Sequence, residues 1–289
     1  MFRFIFCLYN AFSMLNNSLF IQDHNSKNLS YDVIENQFIN SSYENEFNIN
    51  HNHLTIIDPQ HVIHDLDLSL GKRSVDWRKE YKVSSVKNQE NCGSCWSFSA
   101  VGSVESAWAI KHNQLYNLSE QELIDCSSTY GNQGCHGGSM DAAFEYIIQN
   151  GLCSNNSYPY TANQNMCVKD QCKSLVSISN YSNIERNNEK LLERALIYQP
   201  ISIAIQANKR SFQFYKSGVY SDLDCGTELD HGVLLVGFGY DHEYDMKYWI
   251  VKNSWGKSWG EDGYIRLLKN VDDPRGLCGI AMNPSIPII

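Results

Sequence analysis

Nine of the ten cysteines in this 289-residue chain lie between Cys92 and Cys278, and only Cys7 stands before them. That density is unusual where glutathione keeps thiols reduced, so it points to an oxidising compartment and a fold stapled by disulfides. Nine is odd. At most four bridges can form among Cys92, Cys95, Cys126, Cys135, Cys153, Cys167, Cys172, Cys225 and Cys278, and one thiol is left over for chemistry. Taken alone, Cys92-x-x-Cys95 would also suit half of a zinc site or a redox couple. No second pair with matching spacing follows, so neither a metal nor another cofactor is expected.

The cysteine-poor first quarter differs in charge as well. Residues 1–70 carry 2 Lys/Arg against 8 Asp/Glu, while 71–289 carry 21 against 24. With a net charge of −9 and no run of like charges, the chain offers no basic surface to a phosphate backbone, which argues against nucleic acid as a partner. No stretch reaches the roughly 18–20 apolar residues of a membrane-spanning helix. Met1-Phe-Arg-Phe-Ile-Phe-Cys-Leu-Tyr9 has one positive charge and then a short apolar run, the layout of a secretory signal within residues 1–20, although Asn10 interrupts it. Residues 16–70, rich in Asn and Ser and ending at Gly71-Lys72-Arg73, read as an atypical leader or prosegment with weak intrinsic structure. His24, His51, His53, His61 and His64 fall in this leader; a polar segment is the plainer account, and a release sensitive to pH near 5–6 is the alternative. Sequons at Asn16, Asn28, Asn40, Asn117, Asn155 and Asn180 fit a secreted or lysosome- or vacuole-like destination without singling out any one site.

From Val75 onward the pattern becomes regular. Cys95 to Lys111 repeats apolar residues at helical spacing, which puts Cys95 in the first turn of a long helix. Ser119-Glu-Gln-Glu122 has the form of a capping box for a second helix running to about Cys126. A third is expected over Met140–Gln149, stopped by Gly151, and a fourth over Glu189–Tyr198, halted by Pro200. Beyond Pro200 come short β-branched or aromatic runs at 201–205, 232–238, 247–251 and 263–268, bounded by Gly, Asp or Asn. Helices first and strands afterwards predict an α+β chain of two lobes, and no internal repeat is evident.

The phrase Gln89-Glu-Asn-Cys92-Gly-Ser-Cys95-Trp96 carries the chemistry. A thiol at a helix N-terminus faces unpaired N–H groups and the positive end of the helix dipole, both of which favour thiolate. Acyl transfer further requires an imidazole to move the proton and a group to orient that imidazole. His231, in Leu229-Asp-His-Gly-Val, and Asn253, in Val251-Lys-Asn-Ser-Trp-Gly256, supply such candidates; a histidine beside an apolar strand means little without them.

These three phrases, in this order, resemble the papain family of cysteine peptidases, within it the cathepsin L-like group, over about Gly71 to Ile286. The resemblance implies a papain-like fold with a helical lobe at about 80–182, a β-barrel-like lobe at about 183–289 plus 71–79, and an active-site cleft between them. It implies that Cys95 is the nucleophile, His231 the general acid and base, Asn253 its orienter, Gln89 the oxyanion-hole amide and Trp255 the indole shielding the His–Asn bond. It pairs Cys92 with Cys135, Cys126 with Cys167 and Cys225 with Cys278, while Cys153 with Cys172 fits an extra bridge of some members. Gly137 and Gly138 match the strand that binds an extended peptide, as by β-augmentation. Ser139, Met140, Ala204, Leu229, Gly232 and Asn283 match the pocket for the second residue before the scissile bond, so a hydrophobic residue is expected there. The function implied is a monomeric endopeptidase made as a precursor, acting on protein or peptide substrates and inhibited by its own leader. The alternative is a silent family member used for binding or storage. Two departures stand out: Glu90 occupies a position that is usually glycine and reads as a solvated loop side chain, and the leader lacks the spaced motif of cathepsin L-like proregions.

Overall fold

The structure is a computed structural model that describes residues 16–36 and 74–289. Most of the candidate signal segment, Cys7, the remainder of the leader and the Gly71-Lys72-Arg73 phrase lie outside the described residues.

The first half of the mature-like region is helical. Helices α1 (Cys95–His112), α2 (Glu120–Cys126) and α3 (Met140–Asn150) enclose an apolar cluster that includes Trp96, Val101, Leu123, Phe144 and Ile147. Helix α1 is not the amphipathic helix its spacing suggested, because it is buried on every side from Cys95 to Ala107. Small residues allow this close approach: a Cβ on Gly102 would sit 3.0 Å from Leu234 Cδ2, and Ser99 Oγ donates to the Val233 carbonyl at 2.7 Å. At α2 only half of the capping box forms. Ser119 accepts from the Glu122 N–H at 3.0 Å, but the Glu122 carboxylate turns away to Tyr146 Oη at 3.0 Å and Cys153 N at 2.7 Å.

The second half supplies the sheet. After β1 (Tyr31–Val33), β2 (Val75–Asp76) and β3 (Asn180–Asn183) come α4 (Glu189–Leu196), β4 (Ile201–Ile205), α5 (Arg210–Gln213) and β5 (Tyr215–Tyr220). Strands β6 (His231–Asp241), β7 (Met246–Lys252), β8 (Tyr264–Leu268) and β9 (Ser285–Ile288) complete it, in the order β1-β5-β8-β7-β6-β4-β9-β3, with β2 also on β6. Among the described residues only the β5–β8 strand pair is parallel. Strand β6 is buried from His231 to Gly239 because α1 covers one face and the β-lobe core the other, which is why it reads as a continuous apolar run. The start of this strand is therefore pressed against the start of α1.

Among the described residues four disulfides, Cys92–Cys135, Cys126–Cys167, Cys153–Cys172 and Cys225–Cys278, tie loops to these elements, and Cys95 is free. Residues 16–36 are ordered by what they touch. Residues 16–25 are helical, Phe20 and Ile21 pack on the β-lobe core, and Tyr31 and Val33 are buried in it. Strand β1 adds to the edge of β5 in register Tyr31↔Gly218, reinforced by Ser30 Oγ to Val219 O at 2.6 Å. Gly218 (φ +96°) is required there, since a Cβ would lie 2.3 Å from the Ser30 carbonyl oxygen.

Candidate active site

Cys95 opens α1, and no acidic residue occupies the helix's first turn. Its thiol is buried, which pushes its pKa up to about 11; N–H groups of Gly232 and Trp96 work the other way, and the Asp230 carboxylate adds to the rise. Desolvation wins, so the isolated group rests as the thiol. The approach of β6 is tight. A Cβ on Gly232 would stand 3.2 Å from Trp96 N and 3.3 Å from Cys95 C, so the residue after His231 must be small.

His231 is held on its other side. Its Nε2 lies 2.7 Å from Asn253 Oδ1, and Ser254 N–H donates to that same oxygen at 2.7 Å. Because an N–H donates to it, this atom is the amide oxygen rather than the nitrogen, so Nε2 must carry the proton and Nδ1 is the basic nitrogen. Trp255 stacks on the imidazole at 4.8 Å and 28°, backed edge-on by Trp259 at 5.2 Å and Phe212 at 5.9 Å. Burial under this aromatic wall lowers the imidazole pKa to about 4, against the raising effect of the Asn253 bond.

Gln89 sits on a loop that runs beside Asn253–Gly256: its N–H donates to Ser254 O at 2.8 Å, and Gly256 N–H donates to Lys87 O at 3.0 Å. Its side chain is fixed at both ends, with Oε1 accepting from Ser254 Oγ at 2.7 Å and Nε2 donating to Cys92 O at 2.9 Å. One Nε2 hydrogen remains to be donated elsewhere. Glu90, exposed as a loop side chain, has φ 52°, a left-handed conformation in a residue that carries a Cβ.

Around this centre, Trp96 Nε1 donates to Gly134 O at 3.2 Å, and a Cβ on Gly138 would lie 2.6 Å from the Trp96 ring, so the Gly137–Gly138 segment passes flat over the indole. Met140, Ala204 and Trp96 share one apolar cluster, against which Leu229 packs; Ser139 N–H donates to Asn132 Oδ1 at 2.8 Å just before Met140. Asn283 is half-buried on the turn leading into β9, beside Met282, whose sulfur and Leu229 Cδ2 both face Gly279. Ser254, Asp230 and Met282 escaped the sequence reading. The first two are neighbours of His231 and Asn253 in the motifs, while nothing local marks Met282.

Among the described residues one group of metal-ligating types occurs, Glu122 with Cys153 and Cys172, and those two cysteines are bonded to each other. They offer no thiolate. No helix among the described residues is long and apolar enough to cross a membrane.

A helix-terminal free thiol, an imidazole with a fixed tautomer and an amide with one N–H to spare are the kinds of group that acyl transfer requires. The family profile described as papain family cysteine protease matches residues 72–288. "Probable cysteine protease RD21B" of Arabidopsis thaliana is 46% identical over 281 residues, covering 94% of this chain and 59% of that protein. "Thiol protease SEN102" of Hemerocallis is 50% identical over 221 residues, covering 76% of this chain and 61% of that protein. This chain thus spans about three fifths of the length of these curated relatives. Among solved structures, the proform of the ragweed pollen cysteine protease Amb a 11 superposes with a TM-score of 0.87 at 36% identity, over 95% of this chain and 78% of that one. Bromelain from Ananas comosus, in complex with the E64 inhibitor, gives 0.72 at 45% identity over 75% of this chain and 99% of that one.

Proposed function

Because the chain belongs to the papain family of cysteine proteases, we propose that it is the precursor of an endopeptidase working through Cys95, His231, Asn253 and Gln89. The observation that carries this reading is that the one free cysteine among the described residues, at a helix N-terminus, adjoins the start of a strand whose histidine has its Nε2–H committed to Asn253.

His231 Nδ1 takes the thiol proton as Sγ attacks the substrate carbonyl. The developing oxyanion is met by Cys95 N–H and the free Gln89 Nε2–H, groups that need no reorganisation. The intermediate collapses to a thioester while imidazolium protonates the departing amine. Water then gives its proton to His231, attacks the thioester and frees the carboxylate product, restoring the thiol. An extended substrate lies along Gly137–Gly138, and the cluster of Met140, Ala204 and Leu229, with Ser139, Gly232 and Asn283 around it, takes an apolar side chain two residues before the scissile bond. The leader, docked on β5, holds the enzyme inactive until removed near residues 70–74. Secretion or delivery to a lysosome- or vacuole-like compartment fits the disulfides.

An epoxysuccinyl inhibitor should label Cys95 stoichiometrically, and peptide hydrolysis should vanish together with labelling in Cys95→Ser. A processed protein that neither reacts nor cleaves would favour a binding or storage role instead.

A further inference from the structure

Tyr160 lies outside every motif that defines the site, yet its phenol touches both pieces of the oxyanion site. Tyr160 Oη donates to the main-chain carbonyl of Gln89 at 2.6 Å, and Ser94 Oγ lies 2.9 Å from the same oxygen. Since a carbonyl can only accept, the single phenolic hydrogen belongs to Gln89, and the Ser94 hydroxyl, whose other acceptor is the Cys92 carbonyl at a longer 3.4 Å, donates to Oη. The result is one directed chain, Ser94 Oγ–H to Tyr160 Oη–H to O=C of Gln89, each bond polarising the next. Phe98 packs edge-on against the Tyr160 ring at 5.0 Å and limits its swing.

Both ends of that chain matter. Ser94 directly precedes Cys95 at the N-cap of α1, but its side chain makes no capping bond, so its hydroxyl leaves the first N–H groups of the helix uncovered. Gln89 O belongs to the peptide joining Gln89 to Glu90. The other side of that peptide is held by Glu90 N–H donating to Asn88 Oδ1 at 3.0 Å, and Glu90 itself has φ 52°. A left-handed residue with a Cβ persists only where its surroundings over-determine it. The Gln89 amide must nevertheless keep its place to within a fraction of an ångström if its free hydrogen is to meet an oxyanion.

We propose that Tyr160 is a positioning residue for the oxyanion site: it clamps the Gln89–Glu90 peptide to the start of α1 and so keeps the Gln89 amide aimed despite the left-handed Glu90. This rests on the proteolytic reading above. The phenol acts through Gln89 and not by touching substrate.

The test compares wild type with Tyr160→Phe, Ser94→Ala, Glu90→Gly and their combinations, made as full chains and matured under one protocol. Two rates are read: steady-state peptide hydrolysis, which passes through an oxyanion, and alkylation of Cys95 by iodoacetamide, which does not. Tyr160→Phe should lower kcat about 10-fold and leave KM and the alkylation rate within about twofold, a milder loss than deleting an oxyanion donor outright. Ser94→Ala added to Tyr160→Phe should cost no more than the worse single change, since both cut one chain. In the Glu90→Gly background the loss from Tyr160→Phe should shrink to below about threefold, because glycine holds the left-handed φ without help. A wild-type kcat in Tyr160→Phe, an equal fall of alkylation and hydrolysis, or an undiminished loss beside Glu90→Gly would each overturn the clamp. A wild-type protein that neither alkylates at Cys95 nor cleaves peptides would remove the proteolytic reading, and the clamp with it.

Discussion

Lys252 ends β7, one residue before Asn253, and is 8% exposed. Its Nζ donates to Ser84 Oγ at 3.0 Å, Ser84 donates onward to Glu105, and Lys87 bridges Glu105 at 2.9 Å and Glu120 at 2.6 Å. Burial holds the Lys252 ammonium down to about 8 from its ordinary 10.5; Glu105 and Glu120 favour the charge and Lys87 opposes it. A base with a depressed folded pKa costs stability wherever the fold must keep it protonated. Below pH 8 that cost is complete. Between about 8 and 10.5 the folded lysine is neutral while the unfolded one still binds a proton, so stability rises with pH at up to 1.36 kcal/mol per unit. The gap between 10.5 and 8 amounts to about 3 kcal/mol. Lys252→Met keeps the volume and drops the charge. Less about 1 kcal/mol for the lost Ser84 bond, it should stabilise the protein by about 2 kcal/mol at pH 7 and flatten the rise above pH 8. Urea unfolding of both proteins in a Cys95→Ser background is the assay. That background stops self-digestion and removes a thiol whose pKa, raised to about 11, would add the opposite slope. Buried tyrosines such as Tyr215 and Tyr220, held well above 10, destabilise the fold only as unfolded tyrosine ionises, so the range stays below about pH 9.5. Parallel pH dependence in the two proteins, or a less stable Lys252→Met at pH 7, would refute the reasoning.

Other perturbations act on the centre and the leader. Asn253→Ala strands the imidazole Nε2–H in a dry site and removes a bond that raises the imidazole pKa, so kcat/KM should fall about 10- to 100-fold and the alkaline limb of its pH profile should move down. Asp230, its carboxyl pushed up to about 6 by burial, raises the Cys95 pKa when ionised. Asp230→Asn should therefore make the thiol easier to ionise above pH 6 and erase any inflection near 6 in the pH dependence of iodoacetamide alkylation. Gly218→Ala puts a methyl group against the Ser30 carbonyl oxygen, so in full-length Cys95→Ser protein the leader should be clipped faster by an added protease, with the disulfide-bonded remainder intact.

Legibility followed the range of the forces. Strand β4 was readable to the residue because Ile201, Ile203 and Ile205 announce it locally, and α3 because Gly151 stops it. Strand β5 was not: Lys216 and Gly218 spoil its pattern, and it is a strand because β8 and β1 flank it. Pro287 hid β9 in the same way. The phrases proposed to carry catalysis are compact, but Tyr160 lies 71 positions from Gln89 and Lys252 lies 168 from Ser84. Nothing near either residue betrays its partner. The burial of α1 on all sides was equally silent, because serines that look polar in the sequence spend their hydroxyls on carbonyls such as Val233 O.

The resting state of the centre follows from the same burial. A thiol raised to about 11 and an imidazole lowered to about 4 are, each alone, neutral at physiological pH. Free charges are what the site resists. Moving one proton from Sγ to Nδ1 creates no net charge, only a dipole. Its negative end lies among N–H groups at the start of α1, and its positive end is an imidazolium whose Nε2–H already points at Asn253 Oδ1. The desolvation that opposes either ion singly is therefore largely offset when both form together. A site built this way gains little from bulk pH as a switch for its nucleophile. It depends on geometry, and so on the residues that keep α1, β6 and the Gln89 loop in register.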